Sequence, residues 1–408
     1  MNLLFLIHRY PPARGGSEQY VQEMAHRLVQ EGHHVTVYTS NVLDIEAFWR
    51  RGRRMQPGVE DDRGVQVHRF AARVLPLHGA VSRLARFLGP TAGLVLGPPG
   101  LMLPGLWRAV RRGGSFDVVQ ASAYPAMMAL GAMASRRSGA RLVLMPCAHP
   151  GLGPAGAQYR YFLGRPMARL YAVSQAVLAR TEPEKQMPEE AVIAAETERV
   201  TGAGANVPQG RKEADGARIR RCHDLPAAAP VVPFVGHKTR GKGALDLLDA
   251  CELLLTWQPA VVLALSGAST PEFDRHYAAL SPDRRARVLD LHLDEGEKHD
   301  LLAASAVLAL PSRDDSFGIV LLEAWLHGKP VVGARAGGIP AVIQEGETGL
   351  LIPYGDPQAL ARALGWLLDH PAEAAAMGSR GREKTQHCWT WDAVYQRVRP
   401  AYERCGLA

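Results

Sequence analysis

Short apolar runs alternate along this chain with stretches that carry helical spacing. In the first half, Leu3–Ile7, His34–Thr39, Val65–Phe70, Asp117–Gln120 and Arg141–Met145 read as strands. In the second, Pro230–Gly236, Val261–Ser266, Ala306–Leu310 and Val331–Ala334 do so. Between the first two runs, Tyr20, Val21, Met24, Ala25, Leu28 and Val29 fall on one helical face. Ala244–Leu255, Glu297–Ala304, Gln358–Asp369 and a tail with Trp391, Val394, Tyr395 and Val398 repeat that spacing. A helix and then a strand are expected around Leu170–Ser174 and Val177–Arg180, and a polar surface loop over Asp44–Asp62. Strands that alternate with helices predict an α/β protein with parallel sheets. At 408 residues the chain is too long for one ordinary core. Two domains are therefore expected, the first ending between Gly202 and Ala229.

The stretch Pro311–Gly328 organises the second half. A strand enters it and a helix leaves it. Asp315 and Ser316 are good N-cap residues for a helix starting near Phe317, and Gly328, with Pro330 beyond it, suits the C-terminal end. The helix is apolar nearly all round, so it should be buried. Glu323 is the one acidic residue inside it. A buried carboxylate left unpaired is costly, which calls for a hydroxyl-rich ligand or a structural cation. The helix N-terminus would favour an anion such as phosphate.

Composition narrows the classes. The chain is 47% hydrophobic and 21% charged, with a formal net charge of +7, a balance that suits phosphates or an acidic membrane surface. The arginines are spread out and no aromatic-basic RNA motif appears, so nucleic acid is not expected as a partner. Five cysteines without C-x-x-C spacing read as reduced thiols of a cytoplasmic protein. The apolar start Met1–Ile7 is too short for a signal peptide. The glycine-bearing turn of the first βαβ unit, with Gly15 and Gly16, does not carry the G-x-G-x-x-G fingerprint, and no G-x-S-x-G elbow is present, so no dinucleotide cofactor and no serine hydrolase are indicated. Asp283, Asp314 and Asp315 are too scattered for a metal site. Residues Phe87–Trp107 carry no charge and are flanked by arginines, but four prolines and five glycines would break a spanning helix. That stretch is either a loop with a short core helix or, within residues 83–112, a peripheral contact with lipid at the inner face of the membrane.

The order of motifs resembles the retaining glycosyltransferases of family 4, which have the GT-B fold. The resemblance rests on His8-x-Tyr-Pro-Pro with Gly15-Gly16, on Phe234-Val-Gly with Lys242-Gly243, on Pro311-Ser through Glu323-Ala-Trp-Leu-His-Gly-Lys-Pro, and on Gly337-Gly-Ile-Pro and Gly349-Leu-Leu-Ile-Pro. It implies two Rossmann-like domains with parallel sheets facing across a cleft. Residues 1–205 would serve the acceptor and 206–386 the nucleotide-sugar donor, with a last helix in 387–408 crossing back to the first domain. It further implies sugar transfer from a nucleoside diphosphate to a hydroxyl of a glycan, a lipid-linked or a small-molecule acceptor, with no metal and no other cofactor.

By the same resemblance, Glu323 binds the donor ribose and Asp315, in a D-x7-E variant of the family's E-x7-E pattern, contacts the sugar. Asp314 competes for that second role. Lys242 takes the donor phosphate, and the backbone of Ser316, Phe317, Gly318 and Ile319 cradles the diphosphate. His237 stands where the family has an arginine, and Arg240, ahead of Lys238, is the favoured replacement for the missing charge. His149 lies near the transferred sugar, and Gly15 and Gly16 let backbone approach the donor. A GT-B-like binding protein without transfer activity, an epimerase and a phosphorylase are the alternatives.

Overall fold

The computed structural model describes residues 1–48, 52–74, 102–148, 164–189, 198–205, 214–226 and 228–406, and over these the alternation of strands and helices is present. The chain divides into one unit of Met1–Ala148, Pro154–Gly202 and Val394–Ala408 and a second made chiefly of Ala203–Ala393.

In the first unit, β1 (Asn2–Leu6), α1 (Gly16–Gln30), β2 (His34–Ser40), β3 (Gly58–Asp62) and β4 (Val65–Phe70) are followed by α2 (Pro104–Arg112), β5 (Val118–Ser122), α3 (Pro125–Ser138) and β6 (Arg141–Met145). Then come α4 (Arg165–Ala172), β7 (Ala176–Ala179), α5 (Glu182–Glu189) and β8 (Glu198–Val200). These strands make one sheet in the order β3-β4-β2-β1-β5-β6-β7-β8. All pairs are parallel except β3 with β4. Their apolar runs are continuous because helices cover parallel strands on both faces. Phe5, for example, pairs with Val37 on one side and Gln120 on the other and is fully buried.

The loop expected over Asp44–Asp62 is corrected in its second half. Gly58–Asp62 forms the antiparallel edge strand β3, whose acidic, exposed residues carry no apolar alternation to betray it. Charged edges of this kind discourage pairing with other chains. At the described end of the uncharged stretch, α2 buries Leu106 and Val110, while residues 75–101 lie outside the described residues. Among the described residues, no helix is long and apolar enough to cross a membrane.

The second unit runs α6 (Gly216–Cys222), β9 (Val231–Val235), α7 (Ala244–Trp257), β10 (Val262–Ser266), α8 (Pro271–Ala278), α9 (Pro282–Arg285), β11 (Val288–Leu291), α10 (Glu295–Ala304), β12 (Leu308–Leu310), α11 (Ile319–Leu326), β13 (Val331–Ala334), β14 (Gly349–Ile352), α12 (Pro357–Asp369) and α13 (Pro371–Cys388). Two three-stranded parallel sheets, β11-β10-β9 and β12-β13-β14, result. The Ala306 N–H donates to the Val231 carbonyl at 2.8 Å, which sets β12 beside β9.

The last helix, α14 (Trp391–Glu403), packs its C-terminal part on the first unit. Tyr395 donates to Glu31 at 2.7 Å, Arg397 donates to the Thr201 carbonyl at 2.9 Å, and the Tyr402 ring stacks on Phe5 at 6.3 Å.

Candidate functional site

Open α/β sheets bind ligands at the carboxyl ends of strands where the strand order reverses. The second unit reverses between β9 and β12. The loops leaving these two strands are 236–243 and 311–318, which hold most of the expected donor residues. They interlock. The Gly241 carbonyl accepts from the Arg313 N–H at 2.9 Å and the Asp314 N–H at 3.1 Å. A Cβ on Gly243 would strike the Pro311 carbonyl. A third loop closes from the other side: a Cβ on Gly337 would strike the Asp315 and Arg313 carbonyls, and one on Gly338 the Ser316 carbonyl. Glycine is needed at these positions because backbone lies where a side chain would go.

Interlocking brings Lys242 onto Asp315. The Lys242 ammonium lies 2.7 Å from Asp315 Oδ1 and donates to the Asp314 carbonyl at 2.8 Å. The two side chains remain 26% and 20% exposed, so both can meet a ligand. Asp314, the competitor for the sugar role, instead closes its carboxylate on Arg313 at 2.7 and 3.1 Å.

The expected side-chain cap is corrected. Neither Asp315 nor Ser316 caps α11; Gly318, left-handed at φ 83°, is the N-cap and the helix begins at Ile319. The physical reason is that Asp315 is drawn to Lys242 while its carbonyl accepts from the Gly338 N–H at 2.7 Å. Ser316 and Phe317 are buried, and the Phe317 ring meets Trp389 edge-on at 5.2 Å. The other end of α11 is as expected. Gly328 is left-handed at φ 66°, its N–H bonds to the Trp325 carbonyl, and the Lys329 N–H bonds to the Ala324 carbonyl, a Schellman close.

Glu323 is buried, and its partner is a structural cation. Lys298 on α10 places its ammonium 2.7 Å from Glu323 Oε1 and 2.6 Å from Glu295 Oε2. Burial pulls the Lys298 ammonium down, but the Glu323 and Glu295 carboxylates outweigh it and hold the group above the ordinary lysine value. Behind this trio, His299 Nδ1 and His327 Nε2 lie 2.9 Å apart. Burial, then His299 and Lys329, push His327 down to about 4. Lys298 was not anticipated. Its only signal in the sequence is its place three residues after Glu295, on a helix that docks beside α11.

The remaining cations of the β9 loop separate. Lys238 is fully buried, ion-paired with Asp290 and set 5.4 Å from the Phe273 ring centre, so it is structural. Arg240 is exposed and pairs with Glu272 at 2.9 Å. His237 is half-buried at the start of the turn, where its carbonyl accepts from the Thr239 N–H at 2.8 Å.

In the first unit the strand order reverses between β1 and β5. Here sequence reasoning missed a buried charged cluster. Arg9 lies 2.6 Å from Glu18, His8 3.4 Å from the same oxygen, and Ser17 donates to Glu18 at 2.7 Å. Tyr124, just past β5, meets the His8 ring edge-on at 4.5 Å. Burial would raise the Glu18 carboxyl, but Arg9 and then His8 overcome it and hold Glu18 below the usual carboxylate range. Burial dominates at His8, pushing it down to about 3. Gly15 caps α1, and a Cβ there would run into the Glu18 carboxylate; Gly16 opens the helix. The packing of Glu18 thus accounts for the first glycine. His149 lies outside the described residues.

Two family models match this chain: the glycosyl transferase 4-like domain over residues 15–204 and the glycosyl transferases group 1 over residues 216–384. The chain belongs to the family 4 glycosyltransferases of GT-B fold. This family 4 member is 37% identical over 199 residues to a D-inositol 3-phosphate glycosyltransferase of Corynebacterium efficiens, covering 47% of this chain and 46% of that protein. It is 30% identical over 253 residues to the protein of the same name from Streptomyces avermitilis, covering 57% and 53%. The chain spans about half the length of the curated relatives it matches. Among solved structures it resembles the sucrose-phosphate synthase of Thermosynechococcus elongatus (TM-score 0.77, 21% identity, 99% and 98% of the two chains). It also resembles Anabaena HepE in complex with UDP and glucose (TM-score 0.73, 21% identity, 98% and 99%). At that identity the likeness shows the fold alone.

Proposed function

We propose that this family 4 member transfers a sugar from a nucleoside-diphosphate sugar to an acceptor hydroxyl, with retention at the anomeric carbon and without a metal. The observation that carries the reading is the Lys242–Asp315 pair at the strand reversal, set beside the N-terminus of α11. A partly exposed ammonium next to a helix N-terminus is a site for a diphosphate. As the bond to the sugar breaks, negative charge grows on the leaving phosphate, and Lys242 with the backbone of Phe317, Gly318 and Ile319 stabilises it. Asp315, held by Lys242, faces the sugar, and Glu323, held in place by Lys298, takes the ribose hydroxyls. The leaving phosphate oxygen takes the proton from the acceptor, so no protein base is required. HepE was solved with UDP and with UDP-glucose, which supports a uridine-type donor. The relatives named for D-inositol 3-phosphate support a hydroxyl-rich, phosphorylated acceptor.

The test is a panel of UDP-, GDP- and ADP-sugars, read by thermal shift and then by transfer to sugar and polyol-phosphate acceptors in the presence of chelator. One donor should raise the melting temperature and support transfer, with both effects lost in Glu323→Ala and weakened in Lys242→Ala. Stabilisation by no donor, or transfer abolished by chelator, would contradict the reading.

A further inference from the structure

Around Lys298 the second unit holds more cation-binding chemistry than one ammonium needs. Glu295 and His299 are one helical turn apart on α10, and Glu323 faces them from α11. One imidazole nitrogen of His299 and one carboxylate oxygen each of Glu295 and Glu323 lie within 4.8 Å of one another. Ligands around a tetrahedral zinc ion sit about 3.4 Å apart, given metal–ligand bonds of roughly 2.0–2.2 Å, so modest side-chain rotations would close the set. Ligation through Nε2 would leave His299 Nδ1 to donate to His327 Nε2, 2.9 Å away, the outer contact that usually fixes a ligating imidazole. The position between the carboxylates already attracts positive charge, because the Lys298 ammonium lies 2.6 Å from Glu295 and 2.7 Å from Glu323. One ammonium there faces two carboxylates, whereas a divalent ion matches their charge. The Glu295 side chain is 57% exposed and gives a route from solvent, along which the flexible lysine stem can withdraw.

We propose that Glu295, His299 and Glu323 bind a divalent transition-metal ion of the zinc class, which displaces Lys298 and, by engaging Glu323, closes the donor site. Metal binding stands on these residues alone; the competition with donor rests on the function proposed above. Imidazole with carboxylates favours zinc, cobalt or nickel over magnesium and calcium, which prefer oxygen ligands throughout.

The experiment uses the full chain with the exposed thiols Cys222 and Cys388 changed to serine, so that surface thiolates do not bind the probe. After treatment with chelator and its removal, zinc chloride is titrated calorimetrically into this protein and into Glu295→Gln, His299→Ala and Lys298→Met. The expected result is one ion per chain, bound tenfold or more weakly in Glu295→Gln and His299→Ala. Binding should be tighter in Lys298→Met, where the competing ammonium is gone. Glu295→Gln changes an exposed side chain and carries the test if His299→Ala fails to fold. Absence of binding in every protein, or equal affinity in Glu295→Gln and the parent, overturns the metal site. In a second arm, saturating zinc should weaken nucleotide-sugar binding in the parent and have little effect in Glu295→Gln. Zinc bound at this site with donor affinity unchanged overturns the competition while leaving the metal site in place, whereas a protein that binds zinc here and no donor at all counts against the transferase reading instead.

Discussion

Each of the two strand reversals sets a glycine-bearing turn and a helix N-terminus beside a carboxylate, and the carboxylates are satisfied in opposite ways. At β1 and β5, Glu18 sits in the opening turn of α1 and is closed by Arg9 and Ser17 from the same turn. Gly15 is there to make room for it. At β9 and β12, Glu323 sits within α11 and is closed by Lys298 from a neighbouring helix. The loop residues Lys242 and Asp315 stay partly open to solvent, and the glycines there let backbone meet backbone. A glycine turn before a helix is therefore not in itself a ligand signal. It becomes one where the room it makes leaves charge exposed at the rim.

The largest expected effects separate the two regions. Arg9→Ala leaves Glu18 buried without its main partner and should cost about 3–5 kcal/mol of stability in chemical denaturation. The folded fraction should bind donor as before. Glu323→Ala strands Lys298 with Glu295 alone; it should cost about 3 kcal/mol and abolish donor binding as well. If Arg9→Ala weakened donor binding as much as Glu323→Ala does, the division between a self-contained cluster and a ligand site would fail.

Next in size is a pH effect confined to the first unit. Glu184 accepts from the Ala148 N–H at 2.7 Å and the Arg180 N–H at 2.9 Å, yet burial outweighs these bonds and pushes its carboxyl up to about 7. Its ordinary value is 4.5. The folded state then holds a proton that the unfolded state has released. This contribution to stability is complete below pH about 4.5 and is lost as pH rises towards 7. The loss is at most about 3 kcal/mol. Glu184→Gln should flatten that part of the stability–pH curve, and an unchanged slope would show that the carboxyl ionises freely in the fold.

Lys242→Ala should do the reverse of Arg9→Ala. Stability should change by less than about 1 kcal/mol, because a partly exposed ion pair contributes little. Donor affinity should fall by about tenfold to a hundredfold, since a charge-assisted bond to phosphate is lost. Smallest of all is Arg240→Ala, expected to leave stability within about 0.5 kcal/mol. If Arg240 supplies the charge absent at His237, donor affinity should still drop severalfold in a calorimetric titration; an unchanged affinity would leave Arg240 as a surface partner of Glu272.

Much of this fold was legible because parallel strands and amphipathic helices write their own periods. Arg141–Met145 and Val331–Ala334 were delimited to the residue, and Val65–Phe70 as well. The edge strand Gly58–Asp62 was not, since an exposed acidic strand has no apolar face. In the site, the need of Glu323 for a partner could be argued from its surroundings, but the identity of that partner could not. Lys298 reaches Glu323 only because α10 and α11 pack side by side, a tertiary fact without local spacing. The cap of α11 went to Gly318 for a similar reason: Asp315 had a stronger offer from a lysine on a different loop. His8, Arg9 and Glu18 were hidden because charged residues beside a turn look like surface until burial is known.

The proposed transfer requires a nucleoside-diphosphate sugar to meet Lys242 at the reversal between β9 and β12. Calorimetric titration of the UDP-, GDP- and ADP-sugar panel into the full chain and into Lys242→Ala tests this directly. The expected result is one-to-one binding of at least one donor, weakened about tenfold or more in the variant while its melting temperature is nearly unchanged. Binding of no donor, or equal binding by both proteins, would contradict it.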